Sequence, residues 1–235
     1  MLAMAAAACS AGAHEGGGHG RTAQRAFQVG PFQSVSLTGS PDVIVTVGAP
    51  PSVRAEGDAR MVERLDIRVE GGDLRIGYRE GSSWSFGFGR HRGVTIHVTV
   101  PALAAATITG SGDMRIDRIQ GDRFVATVTG SGDLDLGQVQ AAEAVFSVTG
   151  SGGIRAAGRA QRSHVELQGS GDVELGALEI RDATVSVHGS GNVTAKAMEA
   201  ARVTLMGSGD VAITGPARCQ VEKRGSGDVS CGGHS

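Results

Sequence analysis

The stretch TVTGSGDLDL, Thr127–Leu136, holds at its centre the tetrapeptide Gly-Ser-Gly-Asp, and the chain returns to it repeatedly. GSGD begins at Gly110, Gly130, Gly169, Gly207 and Gly225, GSGG at Gly150 and GSGN at Gly189. Successive first glycines lie 20, 20, 19, 20, 18 and 18 residues apart. Such a motif is either a binding site used many times or the corner of a repeating architecture, and its flanks decide between the two.

Two positions before the glycine stand Ile108, Val128, Val148, Leu167, Val187 and Leu205, and four before it Ala106, Ala126, Phe146, Val165, Val185, Val203 and Val221. Four positions after it come Met114, Leu134, Ile154, Val173, Val193, Val211 and Val229, with a further small or apolar residue at the sixth. Polar residues such as Thr127, Thr129, Asp133 and Asp135 alternate with them. Period-2 alternation on both sides of a glycine corner means two half-buried strands per repeat. A third, shorter apolar element is expected nine residues after the glycine, at Ile119, Val139, Leu178 and Met198. A unit of 18–20 residues is too short for strand plus helix, and it fits one coil of a β-solenoid whose strands stack about 4.8 Å apart. The fold expected is all-β, a parallel β-helix.

The same register reaches back to VSLTGSPDVIV, with Val35 and Leu37 before Gly39 and Val43 and Val45 after it. IRVEGGDLRI, around Gly71, reads as a degenerate further corner. Between Gly39 and Gly110 there is room for strands near 52–56, 65–70, 73–78 and 94–100 and for the loop SSWSFGFGRHRG. Residues 27–103 are therefore expected to form an irregular end, and 104–232 the regular coils, of one domain spanning 27–232. Atypical terminal repeats are what a solenoid uses to close its exposed edges. At the other end, Cys219 and Cys231 sit six residues before and six after Gly225, at inward positions, and a disulfide there would tie the last coil. Lys223 takes a position that is apolar in the other coils, which is tolerable only where the column meets solvent.

Ahead of the domain, MLAMAAAACS resembles the end of a truncated lipoprotein-type signal, with Cys9 as the lipid acceptor and residues 10–26 as a Gly/His-rich tether. Export follows from that reading. Aromatic residues make up 3% of the chain and glycines number 38, so the core must be built from small aliphatic side chains. A net charge of −2 without a basic run excludes the electrostatic footprint of a nucleic-acid binder. No stretch is long and apolar enough to be a membrane-spanning helix.

Glycine, serine and aspartate in the corners have a structural explanation: Gly supplies positive φ, and Ser or Asp bonds neighbouring amides. Stacking would align Asp113, Asp133, Asp172, Asp210 and Asp228 into a solvated, mildly repulsive stripe, interrupted by Gly153 and Asn192. Calcium is the sharper alternative. One carboxylate per coil is a poor cage for a cation that takes 6–8 oxygens, however, so no metal is expected. No GSGD continues into a phosphate-binding Gly-Lys-Ser/Thr, and no nucleotide or other cofactor motif occurs. Histidines stand singly, and no nucleophile–base pairing is visible. A polysaccharide-cleaving solenoid would need a carboxylate group such as Asp117, Asp135 and Glu174 on one outer sheet. We expect no catalytic residues. The loop with Trp84, Phe86, Phe88, Arg90 and Arg92 is the candidate for ligand or partner contact, because exposed aromatics beside arginine stack on sugar rings and partner surfaces.

From about Phe27 to Gly232 the chain resembles the family called "putative auto-transporter adhesin, head GIN domain". The resemblance rests on FQSVSLTGSPDVIVTVG, then GGDLRIGY, then VTIHVTVPALAAATITGSGDMRI and the repeated GSGD or GSGN corners. It implies a right-handed parallel β-helix in bacterial envelope proteins, many of them lipoproteins at the periplasm or outer surface. No established catalytic residues come with it, and the partners we expect for such a lateral surface are glycans or other envelope components. Pro41, in place of the second glycine of the first corner, departs from the pattern.

Overall fold

A computed structural model describes residues 21–79 and 93–232. The N-terminal part contains β1 (Thr22–Phe27), β2 (Ser34–Gly39), β3 (Asp42–Val47), β4 (Ser52–Asp58), helix α1 (Ala59–Arg64), β5 (Leu65–Glu70), β6 (Asp73–Tyr78) and β7 (Thr95–Val100). The repeats supply β8 (Ala105–Gly110), β9 (Met114–Ile116), β10 (Ile119–Gly130), β11 (Leu134–Gly150), β12 (Ile154–Gly169), β13 (Asp172–Gly189) and β14 (Asn192–Gly207). The last coil ends in β15 (Val211–Thr214), β16 (Arg218–Gly225) and β17 (Val229–Cys231).

These strands form a parallel β-solenoid of about six turns. One ladder precedes the corners and runs β5–β6–β2–β8–β10–β11–β12–β13–β14–β16. A second follows the corners, through β1–β4–β7–β3–β9 and then the starts of β11 to β14 to β15 and β17. Corner glycines stack in register, Gly39 on Gly110, Gly130, Gly150, Gly169, Gly189, Gly207 and Gly225. Three short strands per coil are not what forms. From β11 to β14 only the corner breaks the strand, and these strands bend elsewhere through register shifts such as Leu136/Val139 and Leu175/Glu179, whereas the first and last regular coils are also interrupted between β9 and β10 and between β15 and β16.

Aliphatic positions on either side of the corner line the interior, and Val128, Val148, Leu134 and Ile154 are all buried. The two largest interior side chains interlock. Phe124 lies in register with Ala144 and Ala126 with Phe146, so a large residue meets a small one at each level. Met198, expected inside, is exposed, and Ala197 stacks on Ile180 in its place. That coil has 18 residues, and the shortening is absorbed at the bend, which shifts the inward position by one.

The N-terminal end departs further from the reading above. Gly71 and Gly72 are no solenoid corner. Both have positive φ, 61° and 83°, and they form a two-residue hairpin that turns β5 antiparallel onto β6. Helix α1, not anticipated, begins at the Asp58 cap, whose carboxylate accepts the Arg60 N–H at 2.9 Å, and it buries Val62. Residues 22–26, assigned above to the tether, belong to β1. Tyr78 closes the corner column from below, its ring against Gly39. Burial there pushes its phenol above the ordinary value and the nearby Asp42 adds to this, while the hydrogen bond with Ser40 opposes it.

Candidate functional site

The corners show why the tetrapeptide needs two glycines. The first has φ between 122° and 141° in every repeat from Gly110 to Gly225. A Cβ on the second would collide with the backbone carbonyl of the coil beneath, as Gly132 on Gly112 and Gly171 on Gly152 illustrate. Pro41 is accommodated because it lies at the base of that column, with Gly112 stacked above it.

Hydrogen bonding at the corner is regular. The Gly110 carbonyl accepts the N–H groups of Ser131 (2.8 Å) and Gly132 (3.2 Å), and the next coils repeat the arrangement. The following N–H is taken by a side chain: Asp113 Oδ1 accepts it from Asp133 at 2.9 Å. Asp133 likewise accepts from Gly153 (2.8 Å), Asp172 from Asn192 (3.2 Å), Asn192 from Asp210 (3.1 Å) and Asp210 from Asp228 (2.9 Å). The aspartate column is therefore no uncompensated stripe. Each carboxylate below the last coil completes the backbone pairing of the coil above, except where Gly153 interrupts the series. No group of three His, Cys, Asp or Glu side chains among the described residues is arranged to hold a metal ion.

At the interruption lies an open depression of about 280 Å³, lined by Asp133, Asp135, Ser151, Gly153, Arg155, Asp172 and Glu174. Its charges are already partnered. Arg155 donates through Nε and Nη2 to both oxygens of Glu174 at 2.9 Å, which holds the Glu174 carboxyl below its ordinary range. Arg115 reaches Asp135 at 3.4 Å, so Arg115, Asp135, Arg155 and Glu174 form a column of alternating sign. Asp117 stands apart, accepting the N–H groups of Val47 and Arg118, both at 2.8 Å. Asp135 and Glu174 thus face arginines and do not form the acid pair that glycoside cleavage uses. In a further column Glu179 lies between Arg159 and Lys196, with contacts of 3.2 and 3.0 Å, which leaves one net positive charge and holds Glu179 below its ordinary value, chiefly through the Lys196 hydrogen bond.

Four coils of the outer face of the ladder before the corners are different, between Arg75 in β6 and Glu166 in β12. Ser36 and Thr38, Thr107 and Thr109, Thr127 and Thr129, and Ser147 and Thr149 stack in two columns, with the second residue of each pair exposed. This uncharged hydroxyl array has a spacing of about 4.8 Å between coils and about 6.6 Å along each strand. Its signal in the sequence is plain: a Ser/Thr-x-Thr triplet precedes each of these glycines. His164 and His188 lie exposed on the same ladder in successive coils, in register with Thr184 and Gln168 and not with each other.

The disulfide Cys219–Cys231 spans the last coil, with Cα atoms 6.4 Å apart. Trp84, Phe86, Phe88, Arg90 and Arg92 lie outside the described residues, in the segment joining β6 to β7, and so does Cys9. No helix among the described residues is long and apolar enough to cross a membrane.

Comparison with known proteins agrees with this architecture. A sequence model of the family described as "Putative auto-transporter adhesin, head GIN domain" matches residues 31–217. A "putative adhesin" from Bacteroides fragilis superposes with a TM-score of 0.81 at 20% identity, over 89% of this chain and 96% of that one. From Parabacteroides distasonis, a "putative adhesin" (0.71, 19%) and a "putative lipid binding protein" (0.69, 21%) cover the same shares. At these identities the likeness establishes the fold alone. No curated protein sequence matches the chain.

Proposed function

From the premise that the chain belongs to the putative auto-transporter adhesin, head GIN domain family, we propose that it is an exported, non-catalytic solenoid of the bacterial envelope. It binds a glycan or another envelope component through its lateral surface, and lipid on Cys9 tethers it. The carrying observation is the contrast between faces. The Arg115–Asp135–Arg155–Glu174 column beyond the corners neutralises its own charges, whereas Thr107, Thr109, Thr127 and Thr129 present an ordered, uncharged array of donors and acceptors. Such an array suits a neutral polyhydroxylated ligand. Trp84, with Arg90 and Arg92 close by in the sequence, supplies a stacking element.

The test is a glycan-array screen of the chain with Cys9→Ser, compared with Thr107→Val/Thr127→Val and with Trp84→Ala. Valine keeps the β-branched shape and removes only the hydroxyls. Loss of binding in the valine variant supports the face, and binding indifferent to it removes the face from the proposal. Binding indifferent to Trp84→Ala removes the loop. Hydrolysis of any bound glycan would favour the polysaccharide-modifying alternative.

A further inference from the structure

The two ends of the column are finished differently. At the N-terminal end, antiparallel strands β1 and β5 and helix α1 cover the last parallel strands. At the C-terminal end, β16 is bonded only to β14 and β17 only to β15 among the described residues, so a row of backbone N–H and C=O groups on β16 faces outward. Val221 is 47% exposed, whereas Val203, Val185, Val165 and Phe146, its counterparts in earlier coils, are completely buried.

We propose that this edge pairs with a second copy of the chain, with β16 antiparallel to its mate about a two-fold axis at Gln220. Directly opposed residues of an antiparallel pair point to the same side of the sheet, so a symmetric register must be centred on a residue. Centring on Val221 sets Arg218 against Arg224 of the mate. Centring on Glu222 or Lys223 sets like charges face to face on the axis itself. Centring on Gln220 sets Arg218 opposite Glu222 twice and Gln220 opposite Gln220 on the outer side. On the inner side it lays exposed Val221 against Cys219 and the disulfide of the mate.

The charges are free for this exchange. Arg218 has no ion pair or side-chain hydrogen bond with the described residues. Glu222 is held only by Arg224 on its own strand, at 2.8 Å, and both side chains are exposed. An inward lysine at an edge ordinarily guards against pairing. Lys223 is drawn back onto its own coil instead, where Nζ donates to the Gly227 carbonyl at 2.8 Å and lies 3.8 Å from Asp228. Because the axis stands perpendicular to the sheet, the ladder before the corners would continue across the dimer with both hydroxyl arrays on the same side. A surface-bound ligand would then meet two copies at once.

Sedimentation equilibrium on the full chain tests this. The wild type is expected to dimerise, and Arg218→Glu and Glu222→Arg each to raise the dissociation constant about tenfold, because symmetry turns two attractions into two repulsions. The double variant Arg218→Glu/Glu222→Arg is expected to return to wild-type affinity, which ties the loss to the Arg218–Glu222 pairing, and circular dichroism of each single variant is expected to match the wild type. A wild type that stays monomeric at the highest soluble concentration overturns the proposal. So does a dimer indifferent to both single changes, or one that the double variant fails to restore.

Discussion

Asp133 Oδ1 accepts the backbone N–H of Gly153, one coil above, at 2.8 Å. This bond replaces, at the corner, the carbonyl acceptor that a straight parallel ladder would offer. The motif that suggests a binding loop in the sequence is thus a device for turning the chain without orphaning an amide.

Removing one rung should be measurable. Asp133→Ala leaves the Gly153 N–H to water, and a loss of about 1 kcal/mol is expected in urea unfolding, below the roughly 1.5–3 kcal/mol usual for a hydrogen bond to a charged group because the site is solvated. Asp133→Asn should stay within about 0.5 kcal/mol of wild type. Asn192 already does the same work, accepting from Asp210 and donating Nδ2 to Asp172 at 3.0 Å. An alanine variant as stable as the asparagine variant would mean that the rung is idle.

The second corner glycine should tolerate no side chain. Gly132→Ala forces a methyl onto the Gly112 carbonyl, with the Ile108 side chain also in the way, and a cost above about 2 kcal/mol is expected. Gly176→Ala is the control. Its Cβ would meet nothing within 4 Å, and alanine in its place should be neutral or stabilising by about 0.5 kcal/mol. Thermal melts of the pair decide the matter, and equal losses would show that crowding is not the reason for the glycine.

Legibility in the sequence followed periodicity. Apolar residues recur at the positions of Val128, Lys223 excepted, and of Leu134, so the inward positions beside the corners, the register there and the corner glycines could be read from spacing alone. Where the period breaks, reading failed for identifiable reasons. Gly71–Gly72 has the composition of a corner but positive φ at both residues, which reverses the chain into a hairpin. Met198 kept its sequence offset while its coil lost length at a bend. The bonding of the aspartates and the Arg115–Asp135–Arg155–Glu174 column arise between residues about 20 apart, and they appear only once the coils are stacked. The hydroxyl face was visible as Ser/Thr-x-Thr, but in a strand such residues first read as the polar half of an alternation.

Ser163 is an improvable position. It occupies the inward site that Ala144, Ala183 and Ala201 fill in neighbouring coils, is buried, and has no hydrogen-bond partner for Oγ. A buried unpaired hydroxyl costs about 1–3 kcal/mol. Ser163→Ala is expected to stabilise the fold by about 1 kcal/mol, seen as a higher urea midpoint at unchanged slope. A lower midpoint would indicate that the hydroxyl is hydrated in the interior.

The Arg155–Glu174 pair should give the surface a pH signature of defined sign. Its hydrogen bonds and charge hold the Glu174 carboxyl below the ordinary glutamate value. A depressed carboxylate stabilises the folded state at every pH above its unfolded value of about 4.3, and the contribution disappears as pH falls through the lower, folded value. In carboxyl-detected NMR titrations, Glu174 should titrate below the ordinary range in the wild type and return toward about 4.3 in Arg155→Met. The stability difference between wild type and Arg155→Met should be constant near neutrality and shrink on acidification. Because both side chains are solvent-exposed, high salt should shrink it too. A Glu174 titration unmoved by Arg155→Met would mean that the bidentate contact does not persist in solution.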